Sequence, residues 1–209
     1  MSQTSATIRN QVSIPLSFLD GYHTNADLFT FHGLVDGKEH VALRLGGFIG
    51  GPDRVPLVRL HSECLTGDVF GSQRCDCGLQ LREAVEQIAV VGGYLLYLRQ
   101  EGRGIGLYDK IDAYDLQDQG LDTFAANRAL GRGDDERSYA AAAQMLKTLG
   151  AARLALLSNN PDKSAQLRSF GIEVVRQVAT GVHLSDANHA YLRAKVRLGS
   201  HTMTVPDQQ

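Results

Sequence analysis

All three cysteines of this 209-residue chain fall within fourteen consecutive positions, Cys64-Leu-Thr-Gly-Asp-Val-Phe-Gly-Ser-Gln-Arg-Cys75-Asp-Cys77. A fold that uses this C-x10-C-x-C spacing must turn the chain back on itself and present the sulfur atoms together. Structural zinc sites are usually closed by four protein ligands, whereas catalytic ones supply three and leave the fourth position to water or substrate. Three cysteines with no fourth therefore point to a catalytic metal. Two other readings stand beside it: buried free cysteines acting as small hydrophobes, and a closed structural site completed by His61, three residues before Cys64. A disulfide is disfavoured by the odd count and by the absence of any sign of an oxidising compartment.

The first thirty residues lack a basic start followed by an apolar core, and no run approaches the roughly 18 apolar residues of a membrane span. A cytoplasmic enzyme is expected. The formal charge of −2 gives no general attraction to nucleic acid or membrane. Any anion must then be held by local arginines and backbone amides. The length suits one domain.

The patterning changes along the chain. The first fifty residues carry short alternating runs broken by Asp-Gly at 20–21 and 36–37, which predicts antiparallel hairpins. From residue 55 onward strands alternate with helices. Strands are expected at 55–63, 94–99, 153–158 and 172–178. Helices are expected at 79–91, with Leu81, Ala84, Val85 and Ile88 on one face, at about 105–119, at about 136–149 ended by Gly150, and from Pro161 to Gly171. No internal repeat or low-complexity linker divides the two parts. The expected fold class is therefore α/β of the α+β type. An N-terminal antiparallel β-rich part is followed by a β/α part with a mixed sheet, in a single compact domain around the zinc site. Residues 1–12 are expected to be flexible, 13–198 to form the catalytic domain, and 199–209 to fray.

Three further clusters sit where strands meet helices. In Arg99-Gln-Glu-Gly-Arg-Gly-Ile-Gly106, glycines allow close approach of a ligand and the free amides of a helix start favour anions, although a solvated tight turn fits equally well. In Gly131-Arg-Gly-Asp-Asp-Glu-Arg137, Asp134 or Asp135 would make an ordinary N-cap. Ser158-Asn-Asn-Pro-Asp-Lys163 suits a polyphosphate or a base edge, or is a plain Asx-turn into a helix.

The order and spacing of HSECLTGD at 61–68, RCDCG at 74–78, RQEGRGIGL at 99–107, DLQDQGLDT at 115–123, DDER at 134–137 and SNNPDK at 158–163 strongly resemble GTP cyclohydrolase II over about residues 55–178. The resemblance implies opening of the guanine imidazole ring of GTP, with release of formate and pyrophosphate, for riboflavin synthesis. It implies one Zn2+ per chain on Cys64, Cys75 and Cys77, Mg2+ with the GTP triphosphate, and a homodimer. It places nucleotide contacts on Arg59, Leu60, His61, Ser62, Glu63, Gln80, Glu101, Gly102, Arg103, Thr123, Ser158 and Lys163. The family's general base falls on Asp135, its nucleophile on Arg137, and a tyrosine near the reacting ring on Tyr114. The chain has no room for the fused synthase domain of some family members, so a monofunctional enzyme is expected. The elaborate opening segment leaves open a paralogue that stops at the formylamino-pyrimidine nucleotide or serves another pathway.

The chemistry bears on these roles. Three thiolates donate more charge than three imidazoles, so zinc held by them is a milder Lewis acid and nearby groups must help move protons. A guanidinium is effectively always protonated, so Arg137 has two open roles: covalent attack on the α-phosphorus or electrostatic stabilisation of the phosphoryl transition state. A zinc nucleobase deaminase is the nearest rival enzyme. His61-Ser-Glu63 mimics its H-x-E, but C-x-C without a preceding proline replaces its P-C-x-x-C. A zinc-stabilised nucleic-acid-binding module would want a basic stripe and exposed aromatics, against an acidic chain with no tryptophan.

Overall fold

The structure, a computed structural model, describes residues 6–48, 54–185 and 187–188. In chain order the elements are β1 (Thr7–Ser17), β2 (His23–His32), β3 (Val41–Leu45), β4 (Leu57–Ser62), α1 (Leu65–Asp68), α2 (Cys77–Val91), β5 (Gly93–Leu98), α3 (Leu107–Asp118), α4 (Thr123–Ala129), α5 (Ala140–Thr148), β6 (Arg153–Leu157), α6 (Pro161–Ser169) and β7 (Glu173–Val178). A short 3-10 turn, Glu101–Gly104, lies between β5 and α3.

The strands form one seven-stranded mixed sheet in the order β1-β2-β3-β5-β4-β6-β7. The β1, β2, β3 and β5 pairings are antiparallel, and β5, β4, β6 and β7 run parallel. This is the mixed α/β architecture expected from the patterning. The central strands β4, β5 and β6 are buried almost throughout. Helices cover both faces of a parallel sheet, so such strands read as continuous apolar runs rather than alternating ones. Alternate residues still divide between the faces. Leu57, Leu95, Ala155 and Leu157 pack with Ala84, Val85 and Ile88 of α2. Val58, Leu60, Leu96, Leu98, Leu154 and Leu156 pack with Met145 and Leu146 of α5 and Leu167 of α6. Each fully buried Leu or Ile contributes about 1.5–3 kcal/mol relative to exposure. The parallel strands thereby end together at Ser62, Leu98 and Leu157, and the polar clusters follow those ends. Ligands bind at this edge of open α/β sheets.

Several boundaries differ from expectation. Residues 7–12, expected to be flexible, form the first half of β1 and pair with β2 from Thr7↔His32 onward. The whole alternating run therefore belongs to the hairpin. The helix expected from 136 begins at Ala140, because its would-be first turn is committed to side-chain and loop contacts. Asp135 binds Arg137, and the Glu136 amide donates to the Arg103 carbonyl at 2.9 Å. Neither Asp134 nor Asp135 caps α5, whose N-cap is Tyr139. Helix α4 was not foreseen, although its signal is an ordinary one: Asp122 accepts hydrogen bonds from the Phe124 and Ala125 amides. Gly150 and Gly171 follow α5 and α6 with φ of 71° and 79°, as expected of helix ends. The tail expected at 199–209 lies outside the described residues.

The β4–β5 pairing that positions the site depends on Gly93. A Cβ there would stand 2.0 Å from the Leu57 carbonyl oxygen and 2.7 Å from the Leu57 nitrogen. Gly93→Ala is expected to destabilise the protein by about 2–3 kcal/mol, as overpacking does. Thermal unfolding followed by circular dichroism checks this, and an unchanged melting temperature would show that the strand spacing is set elsewhere.

Candidate active site

The site is assembled where β4 runs out. The Glu63 amide still donates to the Leu98 carbonyl at 2.8 Å, and Cys64 then opens the single turn of α1. Asp68 closes this turn from its far end, accepting the Cys64 amide at 3.0 Å, His61 Nε2 at 3.0 Å and the Tyr97 hydroxyl at 2.8 Å. His61 is buried, and its ring also stacks on Tyr97 at a centroid distance of 5.5 Å. Burial pushes the imidazole below its ordinary range, outweighing the Asp68 carboxylate. With Nε2 on Asp68, His61 does not join the cysteines, and the closed four-ligand site is not built.

Cys75 lies in the loop after α1, and Cys77 opens α2. Their sulfur atoms and that of Cys64 lie within 4.8 Å of one another. Cys64 Sγ and Cys75 Sγ are 3.6 Å apart, close to the edge of about 3.8 Å that three Zn–S bonds of about 2.3 Å define at tetrahedral angles. The donor set therefore fits a zinc ion. Among the described residues it is the one cluster of three or more His, Cys, Asp or Glu side chains that could share a metal. Thiols this close do not ionise independently. Cys64 receives hydrogen bonds from Cys75 and Cys77 and feels the Lys110 charge, which holds it far below the ordinary thiol range. Cys75 donates to it and is pushed up to about 11.

Lys110 went unnoticed in the sequence. Its ammonium stands 3.2 Å from Cys64 Sγ, 2.9 Å from Thr66 Oγ1 and 2.9 Å from Glu101 Oε1. Burial alone would lower its pKa, but the Cys64 and Glu101 charges outweigh it and keep the ammonium charged. The available signal was helical spacing: Lys110, Ala113, Tyr114 and Gln117 recur at i, i+3, i+4 and i+7, and all four line the cleft. Tyr114 is half-buried, with the Arg74 guanidinium 4.4 Å above its ring and Thr66 hydrogen-bonded to its hydroxyl. Burial raises its phenol above the ordinary value.

The glycine-rich segment forms the opposing lip. Gly102 and Arg103 both adopt left-handed backbone angles, with φ of 63° and 62°. Arg103 is the one non-glycine residue with positive φ among those described, a conformation costing of order 1–3 kcal/mol. Its guanidinium lies over the Phe124 ring at 4.5 Å. The carbonyl of Arg103 accepts the Glu136 amide, and a Cβ on Gly104 would come within 2.9 Å of the Glu136 carbonyl carbon. The two loops are thus packed backbone against backbone. Beyond them Arg137 faces the cleft, its Nε 2.8 Å from Asp135 Oδ1 and its Nη2 on Oδ2.

The cleft is open to solvent along one side and spans about 650 Å³, the space outside its mouth included. Of the residues singled out in the sequence, Ser62, Glu63, Cys64, Cys75, Cys77, Gly102, Arg103, Tyr114, Thr123 and Arg137 line it. Asp135 stands one bond behind, through Arg137. Arg59, Leu60, His61, Gln80, Glu101, Ser158 and Lys163 are buried outside the lining. Arg59 donates to Gln80 Oε1 at 2.8 Å and to the Leu157 carbonyl at 3.2 Å. Lys163 donates to the Leu60 carbonyl at 2.7 Å. The Ser158 hydroxyl accepts the Asn160 amide at 3.0 Å. Glu101 spends one oxygen on Lys110 and the Gly102 amide and the other on the Leu65 amide.

Sheet, cleft and cysteine cluster define an α/β enzyme with its centre at the carboxyl ends of parallel strands. The family model for GTP cyclohydrolase II matches residues 13–179. The chain is 51% identical over 195 residues to GTP cyclohydrolase-2 of Vibrio cholerae serotype O1, covering 92% of this chain and 98% of that protein. It is likewise 51% identical over 197 residues to GTP cyclohydrolase-2 of Vibrio parahaemolyticus, covering 93% and 99%. The riboflavin biosynthesis protein RibBA of Bacillus subtilis is 52% identical over 170 residues, which make up 81% of this chain and 42% of that longer protein. The chain belongs to the GTP cyclohydrolase II family.

Gly67 tests whether the thiol cluster is the metal seat. A Cβ there would meet Cys75 Sγ at 2.7 Å and Cys64 Sγ at 3.2 Å. Gly67→Ala is expected to weaken zinc binding about 10–100-fold, the range seen when the surroundings of a metal site are disturbed. Chelator competition reads this, with circular dichroism confirming a native fold. Undiminished zinc affinity would place the metal elsewhere.

Proposed function

We propose that this chain opens the imidazole ring of GTP, releasing formate from C8 and pyrophosphate from the triphosphate to leave 2,5-diamino-6-(5-phosphoribosylamino)pyrimidin-4(3H)-one for riboflavin biosynthesis. One observation carries the reading: the cysteine cluster and the side chains of Arg103 and Arg137 share a single cleft, so a metal-binding group and phosphate-binding groups meet in a chain of this family. The same proposal includes Mg2+ on the triphosphate, a homodimer and a cytoplasmic location, on the strength of the family. The charge of −2, and the lack of a described helix long and apolar enough to cross a membrane, accord with a small-molecule substrate rather than a nucleic-acid or membrane partner. Incubating the purified protein with GTP tests it. Formate and pyrophosphate are expected, and ammonia in their place would mean deamination.

Cys64, Cys75 and Cys77 would hold the zinc ion, which when bound supplies Lewis-acid activation of water. Proton traffic falls to the protein's own groups. Formate release requires two hydrolytic events at one carbon, one opening the ring to a formylamino group and one cleaving that amide. The second needs a proton delivered to the leaving amine. Tyr114 suits this task, because its raised pKa keeps the hydroxyl protonated and a hydroxyl both donates and accepts. Thr66 and Arg74 hold it in place.

At the phosphate end, burial would raise the Asp135 pKa, but the hydrogen bonds and charge of Arg137 outweigh it and hold the carboxyl below its ordinary range. The pair is a bidentate carboxylate–guanidinium fork. An ionised Asp135 secures Arg137 as a cation, and a cation has no lone pair for phosphorus. We assign Arg137 electrostatic stabilisation of the phosphoryl transition state, and Asp135 the positioning of Arg137.

Arg137→Lys is accordingly expected to keep pyrophosphate release at a rate about 10–100-fold below wild type, since the charge survives and the fork does not. Mass spectrometry showing a nucleotidyl adduct on Arg137 of the wild type would establish covalent attack instead.

Tyr114→Phe is expected to slow deformylation by about 100-fold or more, the scale of general acid catalysis, with a smaller effect on ring opening. A formylamino-pyrimidine nucleotide should then accumulate, heavier than the normal product by one formyl group. Equal loss of both steps would assign the proton to another group.

A further inference from the structure

Helix α3 supplies one wall of the cleft through Lys110, Ala113, Tyr114 and Gln117. Lys110 marks the end of this wall nearest the cysteines, because its ammonium touches Cys64 Sγ. Gln117 lies seven residues on, about 10 Å further along the helix axis. The polar groups nearer the cysteines are already engaged: Lys110 with Cys64, Thr66 and Glu101, and the Tyr114 hydroxyl with Thr66. Gln117 differs. Its backbone carbonyl accepts the Gly120 amide, but its half-buried carboxamide has no hydrogen-bond partner among the described residues. Gln117 lines the cleft, and its carboxamide offers one acceptor and two donors in one plane that no described residue engages.

A purine attacked at C8 must turn its five-membered ring towards the metal-binding end, which sends its Watson–Crick edge the other way. We propose that Gln117 binds this edge of guanine, its Oε1 accepting from N1–H and its Nε2 donating to O6, and thereby holds C8 at the cysteine end of the cleft. The inference rests on GTP being the substrate. It gives the site a group that orients the base, which the arginines facing the phosphates do not provide.

The test uses 7-deaza-GTP, which keeps the Watson–Crick edge and has no imidazole to open, with inorganic tripolyphosphate as a probe of the phosphate seat alone. Calorimetry on zinc-loaded protein with Mg2+ is expected to show Gln117→Leu binding 7-deaza-GTP about 10–100-fold more weakly, the worth of one bidentate base contact. Tripolyphosphate affinity should stay within about twofold of wild type. A second variant reads the contact chemically. The carboxamide pairs with N1–H and O6, which guanine and hypoxanthine share, whereas a carboxylate pairs with N1–H and N2–H, and hypoxanthine lacks the latter. Gln117→Glu should therefore raise the kcat/KM preference for GTP over ITP by about tenfold. The proposal is overturned if Gln117→Leu leaves 7-deaza-GTP binding intact, if it weakens tripolyphosphate equally, or if the Gln117→Glu preference is unchanged. A wild-type protein that binds tripolyphosphate but neither binds 7-deaza-GTP nor opens GTP would overturn the substrate reading itself, before any variant is made.

Discussion

Three sulfur atoms within 4.8 Å of one another are an unfavourable arrangement that the chain has to impose. Two thiolates about 4 Å apart repel by about 4 kcal/mol at an effective dielectric constant of about 20, and as thiols they crowd the backbone that carries them. Space comes from the missing side chains of Gly67, against Cys75 and Cys64, and Gly78, whose Cβ would meet the Gly67 carbonyl oxygen at 2.4 Å. Charge is met by Lys110 on Cys64, itself held by Glu101 and Thr66. Order comes from Asp68, which ties β4, β5 and the first cysteine together through His61, Tyr97 and the Cys64 amide. Each device acts on the cysteines or on their immediate neighbours.

This explains why so many polar residues near the site do not face the cleft. Asp76, Gln80 and Arg59 form a hydrogen-bonded chain from the cysteine loop to the end of β6 at Leu157. Lys163 reaches from α6 to the Leu60 carbonyl on the neighbouring strand. A buried polar group is costly unless paired. These pairings therefore fix the relative positions of strand ends that sequence-distant segments share. In this arrangement the cations brace the floor of the site, and the cleft-facing arginines come from the loops above it.

The central sheet was legible because its signals are local and strong: continuous apolar strands, and helices closed by glycines at 150 and 171. The cysteine cluster was legible because thiol ligands in close spacing have few other uses. Asp135 was marked by the family resemblance alone, because by its own pattern an acid before an alanine-rich stretch is also an ordinary helix cap. Only the three-dimensional contact shows its carboxylate turned forward onto Arg137 rather than onto free amides. Lys110 and Gln117 were hidden for a related reason. A lysine and a glutamine in a polar helix look like solvent-facing residues until the packing shows which side of α3 meets the cleft. His61 misled in the opposite direction: its proximity to Cys64 in sequence suggested ligation, and β4 instead directs it to Asp68.

The coupling between the two arginine-bearing loops follows from backbone geometry. Arg103 pays for a left-handed conformation that turns its carbonyl towards the Glu136 amide, and Gly104 lets the second loop approach without a clash. Arg137 is the residue after Glu136, so the hydrogen bond that anchors one arginine's backbone lies next to the other's. The side chain of Arg103 is steadied by Phe124 and that of Arg137 by Asp135. Neither contact requires an anion in the cleft, and so both cations are held in place by the protein itself. Preorganised charge of this kind stabilises a developing anion without a reorganisation cost at the moment of reaction. That accounts for a strained non-glycine residue where a glycine would be easier to fit: glycine would relieve the backbone and remove the cation.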